Sequence, residues 1–178
     1  MKHNVEVMIS EADVAARIAK LGEEITARYQ GSDEVVMIGL LRGSCVFLAD
    51  LCRQTPLPIT LDFMTASSYG SGMRSTRDVR ILKDLDDDIK GKDVVIVEDI
   101  IDSGLTLSWL VSNLEARGAA SVEIVAFLRK PDAAKVDVKV AMVGFDIPNE
   151  FVVGYGLDYA EDYRTLKGVA ILAPSVYN

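Results

Sequence analysis

Histidine is nearly absent from this sequence, and its scarcity limits the chemistry that the chain can perform. The only histidine among 178 residues is His3, close to the amino terminus. Catalytic triads with a histidine base and the usual zinc sites therefore lack their parts. Any catalysis must use carboxylates, lysine, tyrosine or serine. Carboxylate oxygens suit magnesium, which usually works beside phosphate groups, so the composition favours phosphate chemistry.

Long apolar segments are also missing. The longest stretches without a charged residue, 103–114 and 168–178, are shorter than the roughly 20 residues that a membrane span needs. The first residues contain no apolar signal region, and acids occur as early as Glu6 and Glu11. We therefore expect a cytoplasmic protein that does not enter a membrane. Its length and 49% hydrophobic content predict one domain over residues 1–178.

Basic residues are outnumbered by acidic ones, which argues against a nucleic-acid partner. The net charge of -8 is unfavourable for binding phosphate backbones, because that affinity comes mainly from lysine and arginine. Cysteine is scarce as well, with only Cys45 and Cys52. In a predicted helix they lie about 10 Å apart along the axis, too far for a disulfide. We expect two buried, reduced thiols.

The hydrophobic pattern predicts alternating helices and strands. Ser10 and the acids after it are typical of a helix N-cap, and apolar residues then recur at helical spacing over residues 11–30. The apolar run 35–41 predicts a buried strand. Helices are also predicted at 44–53 and 106–117, and further strands at 59–64, 79–82, 93–97, 122–128, 138–145 and 151–155. This order predicts a three-layer α/β fold with a sheet that is largely parallel at its centre and ligands outside the strand carboxyl ends.

A long polar connection lies between two of the predicted strands. Residues 67–78 contain serine, glycine, arginine and a tyrosine but few apolar residues. Loops of this length in a compact domain are often lids over active sites. A flexible hairpin explains the same composition equally well.

The segment 94–106 carries the most specific signal in the chain. A buried strand ends in Glu98 and Asp99 and continues through Ile-Ile-Asp and a Ser-Gly-Leu-Thr turn into a helix. The first N–H groups of a helix are unpaired, glycine lets an anion approach closely, and Ser103 and Thr106 add hydroxyl donors, so a phosphomonoester fits this turn. The two successive acids point to different sides of the strand and could accept hydrogen bonds from sugar hydroxyls or hold a cation. An ordinary helix cap would also explain the Ser-Gly-Leu-Thr turn, but it would not explain the two acids before it.

This segment resembles the phosphoribosyl pyrophosphate signature of the type I phosphoribosyltransferases. The chain as far as about Leu166 resembles the 6-oxopurine members of that family. The resemblance implies the family's three-layer fold with a small hood. It also implies transfer of the phosphoribosyl group of phosphoribosyl pyrophosphate to hypoxanthine, and to guanine, giving IMP or GMP and pyrophosphate in purine salvage. Mg²⁺ as cofactor and a homodimer or homotetramer are implied as well.

The resemblance also assigns roles within the signature segment. Glu98 and Asp99 would bind the ribose hydroxyls and the metal, and the turn from Ser103 to Thr106 would hold the 5'-phosphate. Asp102 would accept the proton that the purine loses. The substrate-binding residues of the segment would be Glu98, Asp99, Ile100, Ile101, Asp102, Ser103, Gly104, Leu105 and Thr106.

Two loops match other parts of the family pattern. Leu41, Arg42 and Gly43 would form the pyrophosphate loop. The family has a cis peptide in this loop, and the match predicts it between Leu41 and Arg42. On sequence alone this segment is an ordinary strand-to-helix turn. Ser68 and Tyr69 match the catalytic pair of the family's lid, whose closure would exclude water from the reacting centre.

The carboxyl-terminal third matches the family's base site. Lys130 would donate to the 6-oxo group of the purine; it could also be a surface lysine. Phe151 would stack on the base or belong to the core, readings of nearly equal weight, and the backbone of Val152 would bond the base edge. Asp158 would hold metal-bound water, and Arg164 would contact pyrophosphate or form a surface ion pair. A guanine- or xanthine-preferring enzyme, and a regulator that senses phosphoribosyl pyrophosphate, remain open alternatives.

Overall fold

The computed structural model describes residues 5–68 and 79–177, and these form alternating strands and helices. The observed order confirms the predicted α/β class. The elements are β1 (Val5–Ile9), α1 (Glu11–Arg28), β2 (Val35–Leu40), α2 (Cys45–Arg53), β3 (Ile59–Ser68), β4 (Val79–Lys83), β5 (Asp93–Ile101), α3 (Leu105–Ala116), β6 (Ser121–Arg129), β7 (Met142–Asp146), β8 (Val152–Val153), β9 (Val169–Leu172) and α4 (Pro174–Tyr177).

Six of the strands form a central sheet in the order β4-β3-β2-β5-β6-β7. All neighbouring pairs are parallel except β3 and β4, which are antiparallel. The prediction of a largely parallel sheet is confirmed. Because β2 and β5 are adjacent and parallel, the loops after both strands leave from the same edge of the sheet, where ligands bind in open α/β sheets.

Helices cover both faces of this sheet, which gives the predicted three layers. Successive strand residues alternate between the two faces, so each central strand contributes to two cores. With α1 and α2, one core contains Val35, Met37, Val95, Val97, Val125 and Phe127. With α3, the other contains Val36, Ile38, Val94, Ile96, Ile124 and Ala126.

The first helix begins where the capping pattern predicted. The Ser10 hydroxyl accepts a hydrogen bond from the backbone N–H of Asp13 at 3.1 Å, which satisfies one of the unpaired donors of the first turn. The helix ends at Arg28, and Gly31 follows with a φ of 95°.

A second, three-stranded sheet joins the two ends of the described chain. Its order is β1-β9-β8 with antiparallel pairs, and Val5 pairs with Leu172. This sheet is the small hood that the resemblance implied. Strands β1 and β9 and helix α4 were not predicted from the sequence. None of the helices within the described ranges is long and apolar enough to cross a membrane.

Two predicted strands are shorter than expected. The strand predicted at 138–145 begins only at Met142, where pairing with β6 starts. Val138 and Val140 before it pack against the core beside α3. The strand predicted at 151–155 is limited to Val152–Val153, since Gly154 and Tyr155 have φ values of 101° and 49°, which bend the chain out of the extended conformation.

The prediction of two buried thiols was wrong. Cys45, at the start of α2, is exposed, and Cys52 is half-buried. Both are free cysteines, as predicted. The buried residues of α2 are instead Phe47, Leu48 and Leu51.

Candidate active site

The acidic signature segment lies at the carboxyl end of β5 and the start of α3. Strand β5 extends to Ile101, so the two acids lie within the strand and not after it. A cleft of about 150 Å³ opens at this point, and its lining residues are Glu98, Ile100, Ile101, Asp102, Ser103, Gly104, Thr106 and Leu107. The structure thus brings most of the predicted sugar-phosphate residues together around one cleft.

Gly104 shapes the turn between the strand and the helix. It is the N-cap of α3 and has a φ of 75°, a left-handed conformation that glycine adopts without steric cost. Its carbonyl accepts the hydrogen bond of the Ser108 N–H at 3.0 Å, which starts the helical pattern. The amides of the first helical turn therefore follow directly on the acidic strand end, as an anion site requires.

The predicted pyrophosphate loop follows β2, the strand beside β5. The Leu41-Arg42 peptide is cis, which confirms the prediction. The Leu41 N–H donates to the carbonyl of Met64 at 2.8 Å, and the buried Ser44 hydroxyl donates to the carbonyl of Leu40 at 2.7 Å. The loop is thereby fixed at both of its ends.

Gly43 brings this loop into close contact with the acids of β5. A Cβ atom at Gly43 would lie 1.6 Å from the Asp99 Oδ2 atom, and one at Gly156 would lie 2.2 Å from the Gly43 carbonyl oxygen. No side chain can occupy either position without displacement of its neighbour. Three separate segments of the chain, predicted to bind ribose, pyrophosphate and metal, therefore meet at Gly43.

The two acids of β5 are held in surroundings that disfavour their charge. Burial raises the pKa of Asp99 to about 6, although the N–H of Ile100 and the charge of Arg164 act in the opposite direction. Burial, and then the negative charge of Asp99, raise the pKa of Glu98 well above its usual value. A cation placed between these groups would relieve both effects.

The acids fit a magnesium ion that is bound partly by substrate. Within residues 5–68 and 79–177, no three acids, cysteines or histidines form a cluster that could hold a metal alone. Mg²⁺ is usually held by one or two carboxylates together with substrate phosphates and water. Glu98, Asp99 and Asp158 are the predicted ligands, and the negative charge of Asp158 adds slightly to the burial that raises the pKa of Asp99.

Arg164 organises the segment that follows β8. Its Nη1 atom donates to the carbonyl of Gly156 at 2.8 Å, and its Nη2 atom lies 2.8 Å from Asp158 Oδ1 and 3.1 Å from Glu161 Oε2. Arg42 of the pyrophosphate loop pairs with the same Glu161. Arg164 therefore forms ion pairs, and Asp158 among its partners is itself a predicted site residue. Its predicted contact with pyrophosphate stays a prediction.

Glu161 was missed by the sequence reasoning. It is the carboxylate shared by the two arginines predicted to contact pyrophosphate. The spacing of Asp158, Glu161 and Arg164, three residues apart, could have indicated it. A φ of 64° at Glu161 and a hydrogen bond of 2.9 Å from its N–H to Asp158 Oδ2 direct this chain segment back on itself.

The predicted base-side lysine lies beside the signature segment. Lys130 follows β6, is half-buried, and its N–H donates to the carbonyl of Ile101 at 2.9 Å. A second cleft of about 440 Å³ opens here, lined in part by Ile101, Lys130 and Val136. Since Ile101 lines both clefts, the two openings adjoin at the end of β5.

Phe151 lies in an aromatic cluster and lines neither of these clefts. Its side chain is 36% exposed, so the interpretation as a core residue is wrong. The ring stacks on Tyr177 with a centroid distance of 4.9 Å and meets Tyr159 edge-on at 5.8 Å. Val152 is buried in β8 and pairs with Ile171.

The predicted lid pair is only partly described. Ser68 is the last residue of β3, and its backbone pairs with Val79 of β4. Tyr69 lies outside the described residues, so its predicted contact with the reacting centre stays a prediction.

Comparison with known proteins gives one consistent result. Residues 9–160 match the sequence family described as "Phosphoribosyl transferase domain". The hypoxanthine phosphoribosyltransferase of Salmonella typhimurium is 63% identical over 170 residues, which cover 95% of this chain and 96% of that protein. The hypoxanthine-guanine phosphoribosyltransferase of Mycobacterium avium is 51% identical over 176 residues, 96% of this chain and 87% of that protein. The crystal structure of a hypoxanthine phosphoribosyltransferase from Staphylococcus aureus superposes with a TM-score of 0.93 at 44% identity and covers 97% of this chain and 94% of that one.

Proposed function

Because the chain belongs to the phosphoribosyl transferase family, we propose that it transfers the 5-phosphoribosyl group of phosphoribosyl pyrophosphate to hypoxanthine, and to guanine, in purine salvage. The products are IMP or GMP and pyrophosphate. The observation that carries this proposal is the cleft at the end of β5, where Glu98 and Asp102 adjoin the first residues of α3. The relatives named for hypoxanthine and guanine support the choice of bases.

The cleft binds the sugar phosphate through complementary groups. The amides and hydroxyls of Ser103 and Thr106 hold the 5'-phosphate at the helix N-terminus. The carboxylates of Glu98 and Asp99 accept hydrogen bonds from the ribose hydroxyls. Ile100, Ile101 and Leu105 contribute backbone and apolar contacts. Held in this way, the anomeric carbon is oriented for attack by the base.

Magnesium completes the charge balance of the site. Glu98, Asp99 and Asp158 are the residues that would hold it, directly or through water. When bound, the ion neutralises the leaving pyrophosphate and favours the ionised forms of the acids, whose pKa values burial raises. The backbone of Leu41 to Gly43, with Arg42 and Arg164, binds the pyrophosphate oxygens.

Asp102 and Lys130 act on the base. Asp102 is the exposed member of the signature segment, so its carboxylate can reach the base and accept the proton that the purine loses as its nitrogen attacks the anomeric carbon. The Lys130 ammonium has donors and no acceptor, so it bonds a 6-oxo group and offers nothing to the 6-amino group of adenine. Phe151 stacks on the base and the Val152 backbone bonds its edge. Ser68 and Tyr69 close over the reaction.

The direct test is nucleotide formation from purified protein, phosphoribosyl pyrophosphate and Mg²⁺. We expect IMP from hypoxanthine, GMP from guanine and no AMP from adenine. Competition among hypoxanthine, guanine and xanthine would rank the substrates and decide whether the chain is a xanthine-preferring relative. Binding of phosphoribosyl pyrophosphate without turnover of any purine would instead support the sensing regulator and refute the proposed enzyme.

Three properties from the sequence stay predictions. The chain is proposed to act as one domain and to assemble as a homodimer or homotetramer, which light scattering during gel filtration would measure. A cytoplasmic location suits its two free cysteines, because thiols persist in reducing compartments.

A further inference from the structure

The carboxyl-terminal helix places an aromatic ring on the proposed base-stacking residue. Helix α4 ends at Tyr177, whose ring stacks on Phe151 with an interplanar angle of 28°. Tyr159 meets the Phe151 ring at 89°. Three rings from separate segments of the chain therefore form one cluster around the residue proposed to contact the purine.

The position of this helix is fixed by contacts with the hood. The Tyr159 hydroxyl donates to the carbonyl of Val176 in the helix at 3.0 Å. Two residues before the helix, the Leu172 N–H donates to the carbonyl of Phe151 at 2.9 Å. Val176 and Tyr177 also pack against Val153, Tyr163, Ala170 and Leu172 of the hood core. None of these partners lines either cleft at the end of β5.

We propose that Tyr177 is a positioning residue for the purine and acts through Phe151. With Phe151 packed on Tyr177, the ring is held in one orientation, and its exposed part stays available to the base. A partly exposed phenylalanine without this support would sample several rotamers. The free energy needed to fix one rotamer when the base binds would then weaken binding. The proposal rests on the proposed function, because Phe151 must contact the base.

The kinetic test compares three substitutions at this position. Tyr177→Leu keeps much of the apolar volume but removes the stacked ring, Tyr177→Ala removes both, and Tyr177→Phe keeps the ring. We expect the first two to raise the KM for hypoxanthine by about 3- to 10-fold, the change that loss of one aromatic pair predicts. The KM for phosphoribosyl pyrophosphate and kcat should change less than about twofold, and Tyr177→Phe should match the wild type.

The possible outcomes are distinct. An unchanged KM for hypoxanthine in the folded Leu variant would refute the proposal. A lower KM would refute it too, by showing that the Tyr177 ring competes with the purine for Phe151. Equal losses for both substrates, with a lower Tm, would show that the helix only stabilises the hood. If the wild type forms no nucleotide, the proposed function itself fails, and the variants are not needed to show it.

Discussion

The close approach of Gly43 to Asp99 makes Gly43→Ala a sharp test of the site geometry. An alanine Cβ would lie 1.6 Å from the carboxylate, whereas real Cβ contacts are essentially never below 3.0 Å. Either the pyrophosphate loop or the carboxylate must therefore move by more than an ångström. The clash falls on the end of the Asp99 side chain, which can rotate, so the cost in stability is at most the roughly 1–3 kcal/mol of overpacking. Displacement of a binding group by about 1 Å can reduce turnover about 100-fold.

The assay combines urea denaturation with steady-state kinetics. We expect Gly43→Ala to lower kcat/KM for phosphoribosyl pyrophosphate by roughly 100-fold. Gly91→Ala is the control. The φ of 76° at Gly91 disfavours alanine, but an alanine Cβ there would meet nothing within 4 Å. That control should lose about 1–2 kcal/mol of stability through backbone strain and keep its kcat/KM.

A double-mutant cycle identifies the cause of the loss. If the clash with Asp99 is responsible, Gly43→Ala should cost little additional stability in the Asp99→Ala background, and the coupling energy should be about 1–3 kcal/mol. Independent, additive effects would refute the steric explanation. So would a Gly43→Ala enzyme with wild-type kinetics.

Three further predictions concern the charged groups of the site. The buried Asp99 carboxyl, with its pKa of about 6 against an ordinary 3.8, keeps its proton to a higher pH in the folded state than in the unfolded state. Its contribution to the free energy of unfolding therefore falls as pH rises from about 4 to 6. In EDTA, Asp99→Asn should be more stable than the wild type by about 1–3 kcal/mol at pH 7 and equal to it near pH 4; a difference independent of pH would contradict this. Asp102→Asn should slow transfer by roughly 100-fold or more while calorimetry still measures near-normal affinity for phosphoribosyl pyrophosphate, and a wild-type rate would exclude it as the base. Glu161→Gln should release Arg42, while Arg164 stays on Asp158, and should tighten pyrophosphate binding by about 2- to 5-fold, the range expected from exposed ion pairs; weaker binding would show that the carboxylate orients the arginines instead.

The signature segment and the central strands could be predicted because their information is local. A strand buried on both faces, such as β2 or β5, is a contiguous apolar run, and the cap of α1 is set by Ser10 and Asp13. The cis peptide after β2 followed from the motif match. Sequence and structure agree where neighbouring residues decide the conformation.

The missed features depend on residues far apart in the chain. Strand β1 is only stable beside β9, which lies more than 150 residues later, and no local pattern marks that pairing. The alternating residues Val138 and Val140 pack against the core beside α3, although pairing with β6 starts only at Met142. The stacking of Phe151 on Tyr177 also joins two segments that are not consecutive in sequence.

The pairing of the first strand with the last one has a consequence for biosynthesis. During translation β1 leaves the ribosome more than 150 residues before its partner β9 (Val169–Leu172). Until then β1 is an unpaired edge, the kind of surface that associates with other chains. We therefore expect the hood to form only after the strands of the central sheet have been synthesised.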